Sequence, residues 1–163
     1  MPNSARFGIG CKLSVEDQDN LIKAAFEGRE HAYSSPGRPP FRVGSALLTS
    51  GKIIIKGASV DSASSGKSFS VDPTAMVKAV SEGHSAFLAI AIVRHASTPI
   101  SPCGLCRQVL KEFCLPEMPV IMAPADYNVR QGGGGEASGV KTVTLGELCP
   151  LSSFPTARPG QVI

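Results

Sequence analysis

The stretch AFLAIAIV, residues 86–93, carries eight apolar residues in a row, with no charge and no polar side chain. A run of that length, rich in alanine and isoleucine and too short for a typical helix, reads as a β-strand buried on both faces. Such a strand must lie inside a sheet, with other elements covering it above and below. Its neighbours supply the cover. DPTAMVKAVSEGH, residues 72–84, precedes it as a helix, with Pro73 acceptable only in a first turn. SPCGLCRQVLKEFC, residues 101–114, follows as a loop and then a helix, with Pro102 at its start.

The remaining elements complete the pattern. LSVEDQDNLIKAAFEGREHAY, residues 13–33, reads as a first helix, in which Ser14 can cap and Glu16 and Asp17 suit the positive end. Leu21, Ala24, Ala25 and Phe26 form its inward stripe. FRVGSALLT (41–49) and IIIKGASV (53–60) are β-rich runs joined by SGK, a hairpin signal. MPVIMAP (118–124) and VKTVTL (140–145) are two further strands, and a short helix is expected around LGELC. Between those strands, ADYNVRQGGGGEASG lacks the strand–loop–helix setting and the Lys-Ser/Thr ending of a phosphate-binding loop. The order α-β-β-α-β-α-β-β predicts an α/β protein with a five-stranded mixed sheet and helices on both faces.

Length and charge narrow the function classes. The 163 residues suit one domain spanning 1–163, long enough to bury a real core. Lys and Arg are scattered and the formal charge is only +3, which argues against a nucleic-acid surface. No apolar run approaches the roughly 20 residues of a membrane span, and the N-terminal MPNSARFGIGCKL lacks a signal-peptide core. A cytoplasmic, reducing setting is the expectation, so Cys11, Cys103, Cys106, Cys114 and Cys149 are expected as thiols or metal ligands.

Cys103 and Cys106 stand three apart at the start of a helix, and so share one face of its first turn. Free backbone N–H groups and the positive dipole end favour thiolates there. A Cys-x-x-Cys pair is half of a tetrahedral zinc site. A redox or nucleophilic thiol pair and plain structural cysteines are the other readings of the same spacing.

Context adds to the motif. PCGLCRQVLKEF closely resembles the PCGxCRQ segment of the small, homotetrameric cytidine deaminases. PFRVGSALLTSGKIIIKGASVDSASSG resembles their first hairpin and substrate loop, TAMVKAVSEGH their second helix, and TVTLGELCPLSSF their C-terminal segment. The resemblance covers nearly the whole chain. It implies a cytidine deaminase-like three-layer α-β-α sandwich, a homotetramer, and a small-molecule substrate. It further implies zinc held by Cys103, Cys106 and one more donor, with a glutamate shuttling protons to and from the zinc-bound water.

One stretch departs from that family pattern. Where the family carries Cys-Ala-Glu-Arg, this chain has Ser70-Val71-Asp72-Pro73. Ser70, at the third-ligand position, offers a neutral hydroxyl, a poor zinc donor beside a thiolate or imidazole. Asp72, at the proton-shuttle position, is one methylene shorter than glutamate. Asp72 could instead swing in as the third ligand, leaving no carboxylate of this motif for acid/base work. Zinc is thus expected to be weakly held or absent, and Asp72, Cys103 and Cys106 are the candidate catalytic residues. Ser70 or Asp72 would also cap a helix well without doing any chemistry.

The resemblance also marks substrate contacts. The substrate loop has changed too: where the family holds the ribose hydroxyls with an Asn and a Glu, this chain has Ser59 and Asp61, and Phe41 matches an aromatic that lines the base pocket. Phe154 matches a tail aromatic that covers the base from a neighbouring subunit, and Ser70 faces the same pocket. Among the remaining candidates, Arg107 and Gln108 are expected to hydrogen-bond the thiolates and Cys114 to be core. His84 suits a helix end, His95 is a weak alternative base, and His31 is a solvated helix end.

Overall fold

A computed structural model describes residues 13–36, 41–61, 74–127 and 139–152. Helix α1 spans Val15–Glu30, followed by strands β1 (Val43–Thr49) and β2 (Ile54–Ala58), helix α2 (Thr74–Ser81) and strand β3 (Phe87–Arg94). Helix α3 (Gly104–Phe113), strands β4 (Pro119–Ala123) and β5 (Lys141–Thr144), and the short helix α4 (Leu145–Leu148) complete the order. Each expected element is present in the expected sequence. The sheet order is β2-β1-β3-β4-β5. Only β3 and β4 run parallel, with α3 as their crossover, and the other pairs are antiparallel.

The apolar run occupies the middle strand, as its composition requires. Its side chains alternate between two cores. Ile90 and Ile92 face Met76 and Ala79 of α2 and Leu110 of α3. Ala89, Ala91 and Val93 face Leu21, Ile22, Ala25 and Phe26 of α1. Alanines on the α1 side let that helix lie close to the sheet. Gly44 takes this to the limit, since a Cβ there would lie 2.0 Å from the Ala25 carbonyl oxygen.

Local chemistry sets the helix starts. Ser14 Oγ accepts from the Asp17 N–H at 3.0 Å, which caps α1 as expected. Thr144 and Glu147 form a reciprocal capping box at α4. Thr74, the first residue of α2, donates its hydroxyl to the Ala58 carbonyl at 2.7 Å and ties the helix start to the end of β2. Among the described residues, no helix is long and apolar enough to cross a membrane.

Strand directions bring several ends together. The carboxyl ends of β2, β3 and β4, the amino end of β1 and the amino ends of α2 and α3 all meet at one edge of the sandwich. In open α/β sheets this is where ligands bind, because loops and helix dipoles converge there.

Candidate active site

Cys103 and Cys106 stand at that edge, at the start of α3. Cys103 is the helix N-cap, and its sulfur accepts from the Cys106 N–H at 3.3 Å. Cys106 is fully buried. The two side chains share one face of the first turn, as their spacing predicts. The structure draws the pair together as a disulfide, with Cα atoms 5.1 Å apart; two sulfurs facing each other across one helical turn is also the arrangement that thiols sharing a metal need. That separation lies inside the range a disulfide spans without backbone movement.

The surroundings of the pair also differ from expectation. Arg107 does not reach the sulfurs through any of the contacts seen. Its Nε donates to the Pro102 carbonyl at 2.9 Å, and one terminal nitrogen donates to the Leu148 carbonyl at 2.8 Å. The other terminal nitrogen donates to Ser101 Oγ at 2.9 Å. Arg107 thus clips the loop before the cysteines to the end of α4. Gln108 is exposed. Cys114 is core, as expected, and burial pushes its thiol up to about 12.

Ser59 and Asp61 follow β2 at the same edge, and both are buried. The Ser59 hydroxyl accepts from the Val43 N–H at 3.0 Å and lies 3.4 Å from the Phe41 carbonyl, to which it donates. It serves the backbone that seats Phe41. Asp61 accepts from the Ser35 N–H at 3.3 Å through Oδ2. Phe41, just before β1, keeps 40% of its surface exposed, as a pocket wall can. Ser70, Asp72 and Phe154, with the whole of Ser70-Val71-Asp72-Pro73, lie outside the described residues, as does Cys11. Of the histidines, His95 is exposed, His31 ends α1, and the His84 N–H closes α2 on the Ala79 carbonyl.

One residue at this edge escaped the sequence reading. Arg94, the last residue of β3, continues the row Ile90–Ile92 on the face of α2 and α3, yet is only 8% exposed. Its guanidinium carbon sits 5.7 Å from the centroid of the Phe41 ring, within cation–π range. The signal was available. A charged residue at the next inward position of an apolar strand is either the end of burial or a cation kept inside.

The donor set decides how a zinc ion fits. Among the described residues, no group of three or more His, Cys, Asp or Glu side chains is placed to hold a metal. Cys103 and Cys106 offer two sulfurs once reduced, and position 70 adds only a neutral hydroxyl. Two thiolates and an alcohol fall one good donor short of the three-ligand set of a catalytic zinc site, and Asp72, the carboxylate that could supply it, lies outside the described residues.

An α-β-α sandwich with a Cys-x-x-Cys helix start at the carboxyl end of its central strand defines the class of protein: the cytidine deaminase-like fold. Residues 15–122 match the cytidine and deoxycytidylate deaminase zinc-binding region, and the chain belongs to that family. It is 39% identical over 134 residues to a cytidine deaminase of Halalkalibacterium halodurans, covering 82% of this chain and 92% of the relative. A cytidine deaminase of Sporosarcina psychrophila is 39% identical over 106 residues, covering 65% of this chain and 76% of the relative. The crystal structure of cytidine deaminase from Burkholderia pseudomallei superposes with a TM-score of 0.66 at 33% identity, covering 86% of this chain and 98% of that one. Cytidine deaminase from Mycobacterium tuberculosis gives 0.65 at 27% identity, covering 85% and 98%.

Proposed function

We propose that this protein holds a small, polar, cytidine-like heterocycle at the carboxyl edge of its sheet and no longer works by ordinary zinc-hydroxide deamination. The observation that carries this reading is the joint exchange at Ser70, Asp72 and Pro73, with Ser59 and Asp61 at the ribose positions, on a scaffold that is kept. A single change could be accidental. Three changes that together remove a ligand, shorten the proton shuttle and delete a cation alter one electrostatic unit. In this reading Cys103 or Cys106, when reduced, is the nucleophile or base, and Asp72 is its acid/base partner. Mispositioning an acid/base group costs about 10²–10⁴ in rate, and loss of the metal-activated hydroxide adds to that.

The second reading is hydrolysis of a C–N bond in an aminopyrimidine by an Asp variant of the zinc site. The 39% identity to a cytidine deaminase over most of the chain favours it. One comparison separates the two. Zinc per chain and ammonia release from cytidine and deoxycytidine are measured on reduced protein, for the natural chain and for the triple variant Ser70→Cys, Asp72→Glu, Pro73→Arg. We expect the natural chain to hold well under one zinc and to release ammonia at least about 10²-fold more slowly than the variant. One zinc per chain with cytidine turnover equal to the variant's overturns the proposal and establishes the second reading.

A further inference from the structure

We propose that Cys103 and Cys106 form a thiol–disulfide exchange site, in which Cys103 meets a small disulfide from solution and Cys106 resolves the mixed disulfide. The inference rests on the reading that this chain no longer works through the family's zinc, which would otherwise occupy both sulfurs.

Three observations carry it. The first is reach. The two Cα atoms are 5.1 Å apart on one helical turn, within the span that a disulfide closes without backbone movement. The second is access, which differs between the two sulfurs. Cys106 is fully buried, whereas Cys103 is half-buried and stands outside the first turn as the N-cap. The approach to it is open. A Cβ at Gly104 would meet nothing within 4 Å, and Leu105 is 55% exposed. An incoming disulfide therefore reaches Cys103 first, and Cys106 follows only from within. The third is the donor set. Position 70 supplies a neutral hydroxyl where a third strong zinc donor is needed, so the pair is not committed to a metal. Reach alone suits a shared zinc equally well; unequal access and the weak third donor favour exchange. Zinc completed by Asp72 is the rival that the experiment must exclude.

The step balances as an ordinary exchange. The Cys103 thiolate attacks one sulfur of glutathione disulfide, forming a mixed disulfide and releasing one glutathione thiolate. The Cys106 thiolate then attacks the Cys103 sulfur and releases the second. Two electrons pass from the protein dithiol to glutathione disulfide, and the two thiol protons end on the two glutathiones released.

The full chain, purified without chelators, is assayed for zinc and then equilibrated in buffers of reduced and oxidised glutathione. Thiols at each cysteine are counted by alkylation and peptide mass spectrometry. We expect well under one zinc per chain, with the thiols at 103 and 106 lost together and regained together as the buffer ratio is reversed. Cys114, buried in the core, should stay a thiol throughout. Cys106→Ser should stop at a stable glutathione adduct on Cys103, and Cys103→Ser should lose the adduct. If either variant fails to fold, limiting alkylation of the reduced natural chain decides the order, and Cys103 must be labelled before Cys106. Two thiols that stay reduced in excess glutathione disulfide on a zinc-free chain overturn the proposal and leave the reading beneath it standing. One zinc per chain that shields both sulfurs overturns the two together. An adduct that forms on Cys106 in Cys103→Ser as fast as on Cys103 in Cys106→Ser, or alkylation of Cys106 first, also overturns the proposal.

Discussion

Cys106 and Cys114 sit at opposite ends of α3, both buried, yet their chemistry differs because their surroundings do. Cys106 lies at the first turn beside another sulfur, which accepts from Cys106's own backbone N–H. Cys114 ends the helix among Leu110, Met118 and other apolar side chains, and desolvation alone raises its thiol from 9.0 to about 12. A thiol so raised stays neutral in the folded chain where the unfolded chain would ionise it. Its contribution to stability is therefore complete below about pH 9 and is lost as the pH climbs toward 12. Each pH unit in that window is worth about 1.4 kcal/mol at most. Denaturant unfolding at pH 8 and pH 10 should show a steeper loss for the natural chain than for Cys114→Ala, by roughly 1 kcal/mol. Parallel losses would mean that Cys114 ionises as readily folded as unfolded. Ser59 teaches the converse lesson. It stands where the family resemblance puts a ribose contact, but its hydroxyl is engaged by the Val43 N–H and aimed at the Phe41 carbonyl. A short side chain that satisfies the backbone holds the pocket wall in place whether or not it also meets the ligand.

At the scale of elements, the contact between β2 and α2 determines where the site's second helix begins. Gly57 leaves no room for a side chain, since a Cβ there would lie 2.3 Å from the Ala75 nitrogen and 3.0 Å from its Cβ. Backbone atoms, not a flexible side-chain tip, are in the way. Gly57→Ala should therefore push α2 off the sheet and cost about 1–3 kcal/mol in denaturant unfolding, with weaker ligand binding because Thr74 loses its hold on Ala58. Unchanged stability would show that α2 slides freely and does not anchor the site. Why the elements were legible follows from the same contacts. AFLAIAIV is apolar at every position because two helical layers cover it, and PCGLC opens a helix because proline and a capping sulfur suit a first turn. Arg94 was hidden by the same logic, because a charge after an apolar run reads as the end of the strand, and only the third dimension shows it still inside. Arg107 was misread for a related reason. Its partner Leu148 lies 41 residues away, and no local spacing announces a contact of that range.

The molecule as a whole is stitched by such distant contacts. The sheet is laid down out of chain order, with β1 between β2 and β3, so the hairpin must be inserted against a strand that follows α2. The two cores on either face of β3 make its centre the least likely region to open locally. At the edge that carries the candidate site, side-chain clips between described residues join separate elements. Arg107 is one of these, a single guanidinium holding Ser101, Pro102 and the last turn of α4 together. The Leu148 carbonyl belongs to a helix end that has no intrahelical partner to offer, so removal of the donor leaves it exposed to a real penalty. Arg107→Met keeps the aliphatic stem and removes the fork. It should cost about 1–3 kcal/mol and speed hydrogen exchange in the first turn of α3 and in α4 together, while the amides of β3 keep their protection. Arg107→Lys retains the charge but cannot span three acceptors at once, so it should recover less than half of the loss. Faster exchange in α4 alone would show that the cysteine loop holds its own shape; faster exchange in both shows that the candidate active site is framed from the C-terminal end of the fold as well as from its centre.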